Sequence, residues 1–460
     1  MQLRCIAAAA PAKRLAPRVT LTQPYLHHWK QSTMTKPSIT EVENAFQPAK
    51  EVSNATRFAG RKDAVSEAYY GLIAQGSHIA IVGNRGIGKT SLSRQIANIA
   101  VGDNDLLEKL ELPHDRKLDF LSIYFACGKT IQNTTELLER LLTSSGCLAD
   151  WIYDIPKASK VLQGYSPKFG VNLLGVEVGL GGEKKTETAT ESAIAAHAID
   201  TVFTNVVSAI TEQKISADGI LIVVDEFDQI ADPSGFASFL KALSTNVPQV
   251  KFCLVGVAHD IQSLMKEHQS SDRLFAGSII PLPSMSSQEL KEIITIAEKT
   301  IDGYIKFEPA AAERVAALAQ GHPYMVHLVG KYAFRLASQA GKQAISVADV
   351  DATVQSIAER GADPVLEGRY KKAVASSEQR EIVLKALAES QAADGEVWTT
   401  NAYKFALDKG VDNASQYVGQ LVSDEYGSEV EKLRDRFYRF RDSLFAAYVK
   451  ARPRLVKKQV

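Results

Sequence analysis

The segment GNRGIGKT at residues 83–90 constrains this chain more than any other stretch of its 460 residues. Gly83, Gly88, Lys89 and Thr90 meet the spacing G-x-x-x-x-G-K-T, and the apolar run HIAIV comes directly before it. A buried strand that runs through a glycine-rich turn into a helix directs backbone amides and the positive end of a helix dipole at phosphate oxygens. The sequence therefore predicts a phosphate-binding loop.

This loop predicts that the ligand is ATP with Mg²⁺. We expect Lys89 to reach the β- and γ-phosphates and to act in catalysis, and the hydroxyl of Thr90 to bind the metal. The predicted nucleotide contacts are the residues of the loop and of the first helical turn: Gly83, Asn84, Arg85, Gly86, Ile87, Gly88, Lys89, Thr90 and Ser91.

A second motif, VVDEFD at residues 223–228, ends another apolar run. A carboxylate at the end of a buried strand is costly unless it faces a cation or strong donors, so Asp225 is predicted to bind magnesium through a water. Glu226 is then placed to orient and deprotonate the attacking water. The alternative for both residues is a structural acidic pair. Asp228 is expected to cap a helix or to support the other carboxylates.

Apolar runs alternate with helical stretches between residues 46 and 285, which predicts an α/β domain with a mostly parallel sheet and helices on both faces. Strands are expected in GSHIAIVG, LDFLSIYFACG, GILIVVDEFDQI and VKFCLVGVA. The glycine-rich residues 165–183 are predicted to form an inserted surface hairpin, and a long helix is expected from about Thr186 to Lys214.

Three further segments complete the predicted organisation. Residues 286–376 show only helical patterns, beginning with the capped run SSQELKEIITIAEKT, and predict an all-helical lid. Residues 377–460 predict short helices, a turn at Gly427 and the strand RFYRF, which together suggest a winged helix. Residues 1–45 are predicted to be a disordered extension, in which Met34 is the favoured natural start and a targeting peptide is the alternative.

Composition excludes several classes of function. Lys plus Arg equals Asp plus Glu at 53 each, so nothing global calls for a polyanionic partner. The four cysteines, Cys5, Cys127, Cys147 and Cys253, lack the short CxxC spacing of a zinc or redox site. No apolar run reaches the roughly 18 to 20 residues that cross a bilayer. We therefore expect a cytoplasmic protein that does not bind membranes.

With GNRGIGKTSL, VVDEFD and FAGR together, the chain from about residue 46 to its end resembles the AAA+ and STAND group of P-loop ATPases, especially the branch of origin-recognition initiators. The resemblance implies a P-loop NTPase sheet, a helical lid and a carboxyl-terminal winged helix. It places Phe58 and Arg61 of FAGR beside the adenine ring, and Pro323 of the Gly-His-Pro sequence in a lid that closes over the base. Ordinary helix-start turns are the alternatives for both segments.

Two departures from that group affect the predicted site. STAND proteins usually carry an arginine after the fourth core strand, whereas this chain has GVAHD, with His259 and Asp260 at that place. Arg273 lies where related ATPases present an arginine to the nucleotide of a neighbouring subunit, and we predict that catalytic role for it. A solvated arginine is the alternative.

The carboxyl-terminal residues 427–460 hold ten Lys or Arg against four Asp or Glu, a local charge of +6. This basic wing predicts contact with a DNA backbone, although the predicted recognition helix from Asn413 has no Lys or Arg. Two functions stay open. One is an ATP-driven switch that engages a partner or nucleic acid, and the other is a STAND-like signalling switch whose winged helix contacts protein. Nucleotide-dependent self-association is compatible with both.

Overall fold

The central element is a five-stranded sheet. The computed structural model describes residues 35–163, 199–256, 275, 278–392 and 395–454. The strands are β1 (Ile79–Gly83), β2 (Phe120–Ala126), β3 (Gly219–Asp225), β4 (Val250–Gly256) and β5 (Ile279–Leu282). They lie in the order β2-β3-β4-β1-β5, and every neighbouring pair is parallel. The predicted parallel sheet is confirmed, and its strands all end at the edge where both motifs lie.

Helices cover both faces of this sheet. In chain order they are α1 (Ile39–Ala45), α2 (Lys62–Ile73), α3 (Lys89–Ala100), α4 (Asp105–Lys109), α5 (Thr134–Thr143), α6 (Ala149–Ile152), α7 (Pro156–Gln163), α8 (Ile199–Thr211) and α9 (Phe236–Asn246). Strand β3 is buried throughout: Ile222 and Val224 pack into the core with α5, α8 and α9, whereas Leu221 and Val223 pack into the core with α2 and α3. This is the two-sided burial expected of a central parallel strand.

The segment after β5 is mostly helical, as predicted. It contains α10 (Ser287–Lys299), β6 (Lys306–Phe307), α11 (Pro309–Ala319), α12 (Pro323–Gln339), β7 (Ala344–Ile345), α13 (Val347–Arg360) and α14 (Pro364–Val374). The start of α10 carries the expected reciprocal cap between Ser286 and Glu289. The two-residue strands β6 and β7 pair in parallel and were not predicted, because such short strands leave no alternating pattern.

Helix α1 corrects one expectation about residues 1–45. Part of this segment is ordered: Ser38 and Glu41 cap the helix reciprocally, and Val42, Ala45 and the following Phe46 are buried in the lid core. The Glu43 carboxylate also pairs with Arg335 of α12. Burial of this apolar face explains why the short helix forms.

The carboxyl-terminal unit combines helices with an antiparallel sheet. Its elements are α15 (Glu378–Glu389), β8 (Glu396–Trp398), α16 (Thr399–Asp408), α17 (Ala414–Val422), β9 (Val430–Arg434), β10 (Phe437–Phe440) and α18 (Ser443–Ala451). The sheet order is β8-β10-β9. The predicted strand in RFYRF is therefore present, whereas β8 and β9 were not predicted. The winged-helix assignment itself stays a prediction.

One buried apolar cluster runs through the lid and the carboxyl-terminal unit without a break, from Val326 of α12 to Leu384 of α15 and Phe445 of α18. A buried ion pair joins the same two parts, between Glu367 of α14 and Arg452, with N···O at 2.7 Å and both side chains 4% exposed. These contacts indicate that the two parts form one packed body.

Several expectations fall on residues outside the described ranges: the hairpin at 165–183, the first part of the helix from Thr186, His259, Asp260 and Arg273. Within the described part of the chain, no helix combines the length and the apolar character that a membrane crossing requires.

Candidate nucleotide-binding site

A cavity of about 840 Å³ opens between the carboxyl edge of the sheet and the lid. Its volume falls within the range of sites that hold cofactors and drug-sized ligands. It is lined by most of the residues predicted from sequence to touch ATP or its metal: Phe58, Arg61, Arg85, Gly86, Ile87, Gly88, Lys89, Thr90, Ser91, Asp225, Glu226 and Pro323. The two motifs and the lid therefore meet at one place.

The loop between β1 and α3 has the geometry of an anion cradle. Gly86 and Gly88 have φ of 73° and 99°, in the left-handed region that glycine adopts without strain. These turns bring the chain to the start of α3 at Lys89, so that the helix N-terminus faces the cavity.

The ammonium group of Lys89 is held by its own loop. Lys89 Nζ donates to the carbonyl oxygens of Gly83 at 2.9 Å and Asn84 at 3.1 Å. Burial lowers the pKa of Lys89, and the carboxylates of Asp228, Asp225 and Glu226 oppose that shift. Gly83 and Asn84, predicted as nucleotide contacts, therefore act here as acceptors for Lys89 beside the cavity.

Asp225 is buried at the end of β3 with both carboxylate oxygens fixed. Its Oδ1 accepts from the backbone amide of Glu226 at 2.8 Å, and its Oδ2 accepts from the hydroxyl of Tyr124 at 2.6 Å. The side chain is only 3% exposed. Both carboxylate oxygens therefore have fixed directions at the wall of the cavity.

Glu226 has the opposite environment. It is exposed in the cavity, and its φ of 54° places a non-glycine residue in the left-handed region. Such backbone strain costs of order 1–3 kcal/mol and tends to occur at functional sites. The turn takes Glu226 out of the line of the strand and leaves its carboxylate open to a ligand or water.

Asp228 lies closer to the site than the sequence analysis proposed. It lines the cavity, and it is the strongest of the charges that oppose the lowering of the Lys89 pKa. Gly256, at the end of β4, makes room for it, since a Cβ there would be 3.2 Å from Asp228 Oδ1. The available sequence signal was the third acid in VVDEFD.

Arg61 links the phosphate loop to the lid. The residue is 9% exposed, and its guanidinium donates to the carbonyl oxygens of Ile87 in the loop, at 3.0 Å, and of Pro283 before the lid, at 2.7 Å. Burial lowers the pKa of Arg61. Phe58 lines the same cavity, and its carbonyl oxygen accepts from Lys109 Nζ at 2.6 Å. The adenine-side role of both residues stays a prediction.

The first turn of α12 closes the cavity from the lid side. Gly321 has φ of 82°, and a Cβ there would be 2.4 Å from Ser284 Cβ, so this position needs glycine. Pro323 begins the helix, and its Cγ lies 3.9 Å from the position of a Cβ on Gly88. Between them His322 is buried, and its Nδ1 has no hydrogen-bond partner among the described residues.

The carboxyl-terminal unit also reaches the phosphate loop. Leu444, in the first turn of α18, approaches Gly86 so closely that a Cβ on this glycine would be 2.9 Å from Leu444 Cδ2. Sequence reasoning missed this contact, because about 360 residues of chain separate the two positions.

The residues present fit a magnesium ion bound together with a nucleotide. Thr90 and Asp225 offer hard oxygen donors, which Mg²⁺ prefers. No group of three or more His, Cys, Asp or Glu side chains within the described ranges could hold a metal by itself. Mg²⁺ is generally bound by one or two protein oxygens together with waters and the phosphates of its substrate.

The parallel sheet, the phosphate loop and the buried strand-end carboxylate define a P-loop NTPase of the STAND and AAA+ type. The sequence matches the family described as novel STAND NTPase 1 over residues 45–422, and the chain belongs to that family. No significant match was found among curated proteins.

Three solved structures illustrate the similarity. The Walker-type ATPase PABY2304 of Pyrococcus abyssi is 12% identical with a TM-score of 0.47, over 87% of this chain and 99% of that one. Cdc6p from Pyrobaculum aerophilum is 13% identical with a TM-score of 0.44, over 89% and 97% of the respective chains. The ORC2 protein of Aeropyrum pernix, in ADPNP and ADP complexes, is 16% identical with a TM-score of 0.43, over 85% and 93%.

Proposed function

We propose that this chain is an ATP-driven switch, which binds and slowly hydrolyses ATP with Mg²⁺ and changes the arrangement of its lid and carboxyl-terminal unit. Lys89 binds the β- and γ-phosphates, Thr90 and Asp225 hold the metal, and Glu226 activates the attacking water. A magnesium ion held by these residues would neutralise charge that develops on the phosphates. Arg273 keeps its proposed role toward the nucleotide of a neighbouring copy.

The contact between Leu444 and Gly86 is the observation that carries this proposal. A ligand shifts a conformational equilibrium only through contacts that differ between the two states. A nucleotide in the cavity would touch the phosphate loop directly beneath α18 and would touch Pro323 of the lid. The lid and α18 share one core. A displacement of α18 at the phosphate loop, or of the lid at Pro323, therefore moves the lid and α18 together.

We further propose that the partner is a protein, such as a second copy of this chain, rather than DNA. Four arginines of the basic wing already form ion pairs with N···O distances of 2.6 to 2.8 Å: Arg434 with Glu396, Arg439 with Glu431, Arg452 with Glu367 and Arg454 with Glu378. A paired guanidinium adds little to the field that attracts a phosphate backbone. Helix α17, which would be the recognition helix, has no Lys or Arg.

Scattering of the Glu226→Gln variant tests the switch, because this change should retain ATP without hydrolysing it. We expect the radius of gyration or the molecular mass with ATP to differ from the values with ADP and without nucleotide. Leu444→Ala should reduce that difference, whereas Leu407→Ala, at a 56% exposed leucine of α16, should leave it unchanged. Identical radii and masses in all three states would refute the switch.

Mobility of labelled DNA across a salt series tests the choice of partner. We expect no retardation at physiological salt, with or without ATP. Retardation that weakens steeply with salt and requires ATP would instead assign the basic wing to a DNA backbone.

A further inference from the structure

The hydroxyl of Tyr124 lies between the two motifs of the nucleotide site. Tyr124 is on β2, opposite Val223 of β3, so its side chain projects on the same face of the sheet as Asp225 two residues further on. The hydroxyl is 2.6 Å from Asp225 Oδ2 and 2.9 Å from Ser93 Oγ, and Ser93 Oγ is 2.9 Å from the carbonyl oxygen of Thr90. A chain of polar contacts therefore joins the two residues proposed to hold the metal.

Counting hydrogens fixes the direction of the bond between Tyr124 and Asp225. An ionised carboxylate only accepts, so the single hydrogen of Tyr124 goes to Asp225. The single hydrogen of Ser93 is then available to the oxygen of Tyr124 or to the carbonyl of Thr90. With Glu226 N donating to the other oxygen of Asp225, the carboxylate cannot rotate without losing a hydrogen bond.

The ring of Tyr124 is held as firmly as its hydroxyl. The guanidinium carbon of Arg94 lies 3.4 Å from the ring centroid, a stacked cation–π contact. Arg94 follows Ser93 on α3, so the helix that begins at the phosphate loop fixes the tyrosine from two sides. A phenylalanine would keep this packing, which makes the hydroxyl the part specific to the carboxylate.

We propose that Tyr124 is a positioning residue for the metal ion. Its hydroxyl orients Asp225 toward the cavity and, through Ser93, sets that carboxylate relative to the helical turn that carries Thr90. This inference rests on the proposed function, in which Thr90 and Asp225 bind Mg²⁺ with ATP. Groups that orient metal ligands in this way typically contribute 10- to 100-fold to metal affinity.

The Tyr124→Phe variant of the full chain tests the inference by binding rather than by turnover. Calorimetry would measure the affinity for ATP in EDTA and then as Mg²⁺ is added. We expect the ATP affinity of the variant in EDTA to stay within about twofold of that of the parent. The Mg²⁺ concentration that gives half of the full increase in ATP affinity should rise about 10-fold or more. Ser93→Ala should also raise this Mg²⁺ concentration. The Ser93→Ala variant serves as the second test if Tyr124→Phe does not fold.

Tyr69→Phe is the matched control, because it removes another tyrosine hydroxyl that donates to a carboxylate, here Asp115 Oδ1 at 3.3 Å. Neither Tyr69 nor Asp115 lines the cavity. This control should leave the Mg²⁺ requirement unchanged. A parent-like Mg²⁺ requirement in Tyr124→Phe would overturn the inference while leaving ATP binding by the parent intact. Failure of the parent itself to bind ATP would overturn the proposed function, and this inference with it.

Discussion

The backbone amide of Arg61 donates a 2.8 Å hydrogen bond to Glu289 Oε1 of lid helix α10. The preceding amide, of Gly60, donates to Glu292 Oε2 of the same helix at 3.0 Å. Two lid carboxylates therefore hold the turn that begins α2, where α-helical amides are otherwise unpaired and favour negative charge. Because this turn lines the nucleotide cavity, the position of the lid and the shape of the site are linked.

Gly60→Ala should break this link. Gly60 has φ of 59°, and a Cβ there would lie 2.5 Å from Glu289 Oε1, so the carboxylate must move away. We expect ATP affinity measured by calorimetry to fall about 10-fold, equivalent to about 1.4 kcal/mol.

Gly76→Ala is the control for Gly60→Ala. Gly76 also has positive φ, at 69°, but a Cβ there meets nothing within 4 Å. It should lose about 1 kcal/mol of stability from backbone strain and keep its ATP affinity. Equal ATP affinities in the two variants would show that the lid carboxylates do not shape the site.

Lys89→Ala should weaken ATP binding about 10- to 100-fold, since hydrogen bonds to charged groups contribute roughly 1.5–3 kcal/mol. It should also abolish turnover. The measurement is a calorimetric titration with MgATP, and Lys62→Ala, at an exposed lysine in the first turn of α2, is the control. Unchanged affinity in the Lys89 variant would remove this lysine from the phosphate site.

Glu226→Gln should bind ATP as tightly as the parent and lose turnover by about 10²- to 10⁴-fold, the usual contribution of a general base. A steady-state phosphate-release assay measures the loss. Asp228→Asn is the informative comparison, because Asp228 lines the same cavity and is the next candidate base. Turnover of Glu226→Gln within about threefold of the parent would contradict the assignment.

The sequence predicted the parts of the site that are local in the chain. The phosphate loop and the strand-end acids are contiguous motifs, and the buried strands that position them are long apolar runs, so period and spacing were sufficient. Strands β8 and β9 were not predicted, because each is short and its stability comes from tertiary packing rather than from a local pattern. Helix α1 was assigned to a disordered extension, although Ser38 and Glu41 have the S-x-x-E spacing of a capping box.

Contacts between distant segments could not be predicted from spacing. In the sequence, Tyr124 is one of several aromatic residues of a strand. Its contact with Asp225 depends on the pairing of β2 with β3. Arg61 was placed beside the adenine by resemblance, and spacing could not predict that its guanidinium donates to the carbonyls of Ile87 and Pro283. In both cases a side chain's role depends on which segment the fold brings next to it.

The last prediction concerns His78, which is buried in the sheet core. Its Nδ1 accepts from the amide of Phe252 at 3.1 Å, so its Nε2 carries the hydrogen of the neutral ring and faces Ser244 Oγ at 2.8 Å. Burial lowers the pKa of His78 to about 4, and burial likewise lowers the pKa of His327 to about 4. In the unfolded chain a histidine has a pKa near 6.5.

As the pH falls below about 6.5, the unfolded chain binds protons that the folded chain excludes. The free energy of unfolding should therefore fall between about pH 6.5 and pH 4, by up to about 1.4 kcal/mol per pH unit for each of the two histidines. Urea unfolding at several pH values measures this slope. His78→Gln should reduce the slope of the free energy of unfolding against pH by the contribution of one histidine. Ser244→Ala keeps the imidazole, so it should lower the free energy of unfolding at every pH and leave the slope unchanged. An unchanged slope in His78→Gln would mean that this ring takes up a proton equally well in the folded protein.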